Sequence, residues 1–239
     1  WAQKAADYMP AGTERIVIAW HCPAFRRNPK ASTPTPMDNA NALLDIYKDK
    51  NLPVTIWSGH NHIAETVTVP RSDMTVTEYT HPAVCGAWWY FPLCHDGAPA
   101  TFTRYDFSGG TITNRRSVNF SDENEQYYRV YNSGQKNVEG KSVVRINVWD
   151  WHSTWKIACR ENGVTVPASQ LKAVNVYDDR YVAVHEACGN GISSFDFLNK
   201  YSTDHMLEYT PVTPAADIQL TATDEFGNLL FVINTKVVN

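Results

Sequence analysis

The sequence predicts an α+β protein that is mostly β, an incomplete α/β half followed by an antiparallel β-sandwich-like domain. Three observations predict it. Residues 13–62 read strand, helix, strand, which is one α/β crossover. From Glu65 onward, short alternating apolar runs replace that pattern. After Gly140 the chain is almost pure β signal, with turn residues between strands at the spacing of a sandwich. The division falls at residues 1–82 and 83–239.

Taken in order, Trp1 to Met9 reads as the tail of a helix, stopped by Pro10 and Gly12. A first strand, Arg15 to Trp20, runs into His21-Cys22-Pro23. Arg26 to Pro36 is rich in Pro, Ser and Thr and reads as a long loop. Asp38 or Asn39 can cap a helix over Ala40 to Lys50, with Leu43, Leu44 and Tyr47 on one face. Pro53 opens a buried strand, Val54 to Trp57, which ends in Ser58-Gly59-His60-Asn61-His62. Gly59 is expected to relieve crowding there. Ala83 to Tyr90 reads as a buried strand heavy in aromatics. Asp96-Gly97, Gly109-Gly110, Asn162-Gly163 and Phe226-Gly227-Asn228 read as turns. Val174–Tyr177 and Tyr181–His185 read as strands flanking Asp178-Asp179. The softest boundary inside the β region is Ser121 to Gly140.

The 239 residues carry 43% hydrophobic and 19% charged side chains, which suits a globular chain with a sizeable core. The formal charge of −4, without a basic stripe, argues against nucleic acid as a partner. No apolar run approaches the length of a membrane span. The chain opens on Trp1-Ala2-Gln3 with neither Met nor signal peptide, so its natural start is expected upstream. Five cysteines form no Cys-x-x-Cys pair, which removes zinc-ribbon and thioredoxin readings. Cys85 and Cys94 read either as a disulfide of an exported protein or as buried free thiols.

The chemistry concentrates at two predicted strand ends. His21, His60 and His62 can converge there, and neutral imidazoles suit Zn, Mn, Fe or Ni. His81, His95, His152, His185 and His205 read as surface or satisfied structural residues. Cys22 reads as a small turn residue, since no third member of a thiol triad accompanies it. Neither Gly-x-Ser-x-Gly nor a P-loop occurs. Trp88, Trp89, Trp149, Trp151 and Trp155 read as packing residues or, if exposed in a row, as a sugar-stacking platform.

These residues resemble the calcineurin-like metallophosphoesterases. The resemblance rests on a hydrophobic strand into His-x-Pro, Ile16 to Pro23, and a strand into Gly-His-x-His, Gly59 to His62. The later segments Gly86-Ala87-Trp88-Trp89, Val148-Trp149-Asp150, Thr154-Trp155-Lys156, Ser202-Thr203-Asp204-His205 and Thr223 to Asn228 are similar to the β-rich C-terminal domain of a bacterial subgroup. The resemblance implies that His21, His60 and His62 ligate a dinuclear site of two divalent metal ions, of Mn, Fe or Zn type. It implies a phosphate-ester substrate, hydrolase activity in the parent protein, and export. No Asp-x-His precedes His21, and the Gly-Asp-x-x-Asp and Gly-Asn-His-Asp/Glu motifs of the family do not occur. The chain is therefore expected to be an inactive C-terminal part. Its open sheet edge is expected to meet the missing N-terminal half or another copy. Two other readings compete: a Trp-rich sandwich binding carbohydrate or a surface partner, and a self-contained three-histidine enzyme with Glu65 as its nearest carboxylate in sequence.

Overall fold

A computed structural model describes residues 1–26, 39–87, 92–120, 127–188, 198 and 200–238. Strand accounts for 43% and helix for 14%, so the expected α+β, mostly-β class holds. No helix among the described residues is long and apolar enough to cross a membrane.

The N-terminal part is a mixed four-stranded sheet. After helix α1 (Ala2–Asp7), strands β1 (Ile16–Ala19) and β2 (Val54–Ser58) run parallel, joined through helix α2 (Ala40–Asp45) and a 3-10 turn at Lys48–Lys50. Strands β3 (Glu65–Val69) and β4 (Val76–Thr80) form a hairpin, and β4 lies parallel to β2. The order is β1-β2-β4-β3. Alternation along each strand assigns its two faces. Ile16, Val54, Ile56, Val69 and Val76 pack under Ala6, Leu44 and Tyr47 of the helical layer. Trp57 and Tyr79 point the other way. Asn39 sits at the α2 N-cap without a side-chain cap bond. Asp38 and most of the expected long loop lie outside the described residues.

A hairpin of β5 (Thr101–Ser108) and β6 (Thr111–Asn119) covers that second face. Tyr105 stacks against Trp57 at 5.0 Å and Tyr79 at 5.6 Å, with Phe107 beside Trp57 at 6.5 Å. Its Gly109-Gly110 tip docks on Glu14 and Arg15, whose side chains bond the Gly110 amide and carbonyl. A Cβ at Gly110 would stand 2.8 Å from the Glu14 carbonyl carbon, so only glycine fits there.

The remainder is a sandwich. One sheet runs β10-β9-β13-β14, from β9 (Lys156–Glu161), β10 (Val164–Thr165), β13 (Asp217–Thr223) and β14 (Leu229–Lys236). The other runs β11-β12-β8-β7, from β7 (Tyr128–Tyr131), β8 (Val144–Val148), β11 (Leu171–Tyr177) and β12 (Ser202–Tyr209). All these pairings are antiparallel. Alternate residues interdigitate between the sheets: Val144, Ile146, Val148 and Leu207 against Cys159, Ile218, Leu220 and Phe231. The hairpin is pinned to this body by Arg115. Its buried guanidinium pairs with Asp150 at 2.5 Å and Glu225 at 3.2 Å, and lies 4.9 Å over the Tyr79 ring.

Four expectations change. Ala83 to Tyr90 is not a strand where it is described: residues 84–87 form a turn, with Gly86 at φ 57°, and Trp88 to Tyr90 lie outside the described residues. The segment expected as a strand at Tyr181–His185 is helix α3 (Asp179–Ala187). Asp178 explains it, because its buried carboxylate accepts the Tyr181 amide at 2.9 Å as an N-cap. His185 and Glu186 are accordingly helical neighbours, not residues on opposite faces of a strand. The polar stretch Ser121–Gly140 contains β7, an integral strand of the sandwich, within its described part.

Candidate metal centre

The loops after β1 and β2 meet at the carboxyl ends of two parallel strands. The Gly59 amide donates to the His21 carbonyl at 3.0 Å, joining the loops through their backbones. His60 and His62 both adopt left-handed backbone, φ 68° and 54°. The Asn61 amide bonds the Gly59 carbonyl at 2.8 Å, closing a three-residue turn around His60. Left-handed backbone at non-glycine residues costs on the order of 1–3 kcal/mol each and gathers at functional sites. Within the protein a Cβ at Gly59 would lie 4.0 Å from the His21 carbonyl oxygen, an ordinary contact; the crowding expected of this glycine is against a bound ion.

Four histidines line one cleft of about 450 Å³, within the size range of small-molecule sites. His21, His60, His62 and His81 line it, with Phe102 and Thr103 from the β5–β6 hairpin opposite. His60 Nδ1 stands 2.8 Å from His21 Nε2. The group with ligand atoms all within 4.8 Å of one another is His21, Cys22 and His60; His62 and Glu65 are not part of it. His62 is buried, and its Nδ1 lies 2.6 Å from the Gly86 carbonyl. A carbonyl only accepts, so Nδ1 carries a proton and donates it there. Burial lowers the His60 pKa, helped by His21, His62 and Arg26, which keeps that ring neutral.

His81 is a satisfied structural residue, as expected. Its Nδ1 donates to the Ser58 carbonyl at 2.9 Å and its Nε2 accepts from the Tyr105 hydroxyl at 2.8 Å. His95 and His205 are buried structural residues too, His95 bonding Tyr181 at 2.9 Å. Cys85 and Cys94 are free thiols.

Two buried carboxylates hold these loops, and sequence reading passed over both. Glu78, wholly buried on β4, accepts the amides of Ala24 at 2.9 Å and Phe25 at 2.6 Å and the Trp20 indole at 3.1 Å. It thereby clamps the loop carrying His21. Its signal was a charge in an inward slot of an alternating strand, between Val76 and Thr80. Asp96 accepts the Ala64 amide at 2.8 Å and the Ala98 amide at 3.0 Å, while the His95 amide donates to the His62 carbonyl at 3.1 Å. The loop after β2 is thus held by a turn that Asn147 of the sandwich also grips, through the Asp96 carbonyl at 2.7 Å. Burial raises the Asp96 pKa, opposed by His205 and the two amides.

A family model described as the C terminal of calcineurin-like phosphoesterase matches residues 78–229. The match runs from inside β4 to the start of β14, so it takes in the hairpin and nearly all of the sandwich, and it leaves His21, His60 and His62 outside. Comparison with curated proteins and with solved structures gives no match.

Proposed function

The chain belongs to the calcineurin-like phosphoesterase family, as its C-terminal part, and from that membership we propose that it contributes the C-terminal portion of a metal-dependent phosphoesterase. In this reading His21, His60 and His62 are metal ligands and the substrate is a phosphate ester. The observation that carries it is the His62 ring. Metal-binding histidines usually donate their second nitrogen to a carbonyl or carboxylate, which fixes the tautomer. His62 makes such a bond to the Gly86 carbonyl, and the residue lines the cleft.

The donor set fits one side of a metal centre. It offers imidazoles brought together by two joined loops, and no carboxylate stands among the clustered ligand atoms. A bound metal supplies charge to a phosphate and lowers the pKa of a coordinated water. The chain's own part is to hold the ring nitrogens in place on the sheet, through Glu78 and Asp96. With no bridging carboxylate the histidines alone do not assemble a hydrolytic centre, so the isolated chain is inactive. Among the described residues β1 pairs only with β2, and in this reading its other edge receives the rest of the catalytic domain or a second copy of the chain.

The competing carbohydrate-binding reading needs a row of exposed tryptophans. Trp149 and Trp155 are buried, at 6% and 8% exposure, and Trp88 lies outside the described residues. The test is ³¹P relaxation of inorganic phosphate added to the manganese-loaded chain. Enhanced relaxation that disappears in His60→Ala, without turnover of an aryl phosphate, is the expected outcome. Relaxation identical in wild type and variant would overturn the reading.

A further inference from the structure

Cys22 is unused by the phosphoesterase reading, yet its sulfur belongs to the one group of clustered ligand atoms among the described residues. We infer that His21, Cys22 and His60 form a soft-metal site in this chain, one that takes zinc or cobalt in preference to manganese or magnesium. The inference rests on the reading of His21 and His60 as ligands and adds a thiolate to them.

Geometry comes first. Zinc binds imidazole nitrogen at about 2.0–2.1 Å and thiolate sulfur at about 2.3 Å, so tetrahedral ligand atoms stand about 3.3–3.6 Å apart. The ligand atoms of the three residues all lie within 4.8 Å of one another, and the two nitrogens are 2.8 Å apart. Opening the nitrogen pair by about half an ångström and drawing in the sulfur gives three corners of a tetrahedron. These are side-chain adjustments. The backbone is already fixed by the Gly59–His21 bond on one side and by the Glu78 bonds to Ala24 and Phe25 on the other.

Chemistry comes second. Cys22 is a free thiol and half-buried, and His21 is exposed and lines the cleft. The fourth corner is therefore on the open side, where water or a phosphate oxygen can enter, the arrangement of catalytic rather than structural zinc. A thiolate selects soft or borderline cations over hard ones more strongly than imidazoles alone do.

The experiment titrates the full chain and its Cys22→Ser variant with Co²⁺, Zn²⁺ and Mn²⁺. Wild type is expected to give a thiolate-to-cobalt charge-transfer band in the near ultraviolet. Cys22→Ser is expected to lose that band and to weaken zinc binding by more than about tenfold, the least that outer-shell changes alone produce. Manganese binding should be indifferent to the change. A cobalt complex without the band, or zinc affinity equal in the two chains, overturns the inference. Phosphate relaxation with no band would remove this inference and leave the phosphoesterase reading. A band from a chain that ignores phosphate when manganese-loaded would do the reverse. No binding of cobalt, zinc or manganese at all would remove both.

Discussion

The sandwich and the N-terminal sheet are built from similar residues but finished differently. In the sandwich, two four-stranded sheets close over one core, with Ile146, Leu220 and Ile218 almost wholly buried. In the N-terminal sheet, one face is covered by its own helices and the other by a borrowed hairpin, while β1 pairs only with β2 among the described residues. One region satisfies itself; the other depends on its neighbours on a face and at an edge. The difference teaches where the site came from. Its histidines sit in the dependent region: Glu78 of that same sheet holds the His21 loop, and the sandwich reaches the His60–His62 loop only through the Asp96 turn that Asn147 grips.

The largest effect is expected where the two regions are joined. Arg115→Ala leaves the buried Asp150 and the half-buried Glu225 without their cation and removes the charge from over Tyr79. Breaking such a pair costs about 3–5 kcal/mol. Denaturant unfolding should show the loss and a split into two transitions, with the N-terminal sheet melting first. A single transition shifted by less than about 1 kcal/mol, the size of a surface pair, would break the comparison.

A smaller effect is expected from the clamp on the first histidine loop. Glu78→Ala strips the Ala24 and Phe25 amides of their acceptor, at about 1–3 kcal/mol for each buried group left unsatisfied. Metal affinity should fall with it, because His21 is no longer held against His60, while the sandwich transition stays in place. Calorimetry with and without metal separates the two outcomes.

How much of this was legible follows from which forces are local. The crossover and the sandwich announce themselves through periodicity, and the turns at Gly109-Gly110 and Asn162-Gly163 through left-handed backbone at Gly109, Asn162 and Gly163. Helix α3 was misread because Tyr181-Val182-Ala183-Val184 has strand composition, and the deciding contact is a cap from a carboxylate held by Tyr131 and Asn147, far away in sequence. The pairing of His21 with His60 was legible from two strand ends that parallel pairing must align. Cys22 was not, because its direction depends on a loop that Glu78 shapes from across the sheet. The roles of Glu78 and Asp96 are tertiary in the same sense, visible beforehand only as charges in apolar surroundings.

The smallest effect expected is in pH dependence. His60 and His81 both have folded-state pKa values below 6.5, burial being the main cause in each. The unfolded chain binds their protons more readily, so the stability they contribute is present above pH 6.5 and lost as pH falls below it. The N-terminal transition should therefore weaken on mild acidification before the sandwich does. Equal weakening of both regions would blunt the contrast between them.

The measurement that bears most directly on the central claim is bound metal per chain, by elemental analysis after incubation with manganese and with zinc, on wild type and His60→Ala/His62→Ala. Stoichiometric metal that vanishes in the double variant is the predicted result, and it would mean that the joined loops hold a working half of a metal centre. Metal-free protein in both, or metal retained by the variant, would contradict the account and leave the histidines as ordinary residues of two strand-end turns.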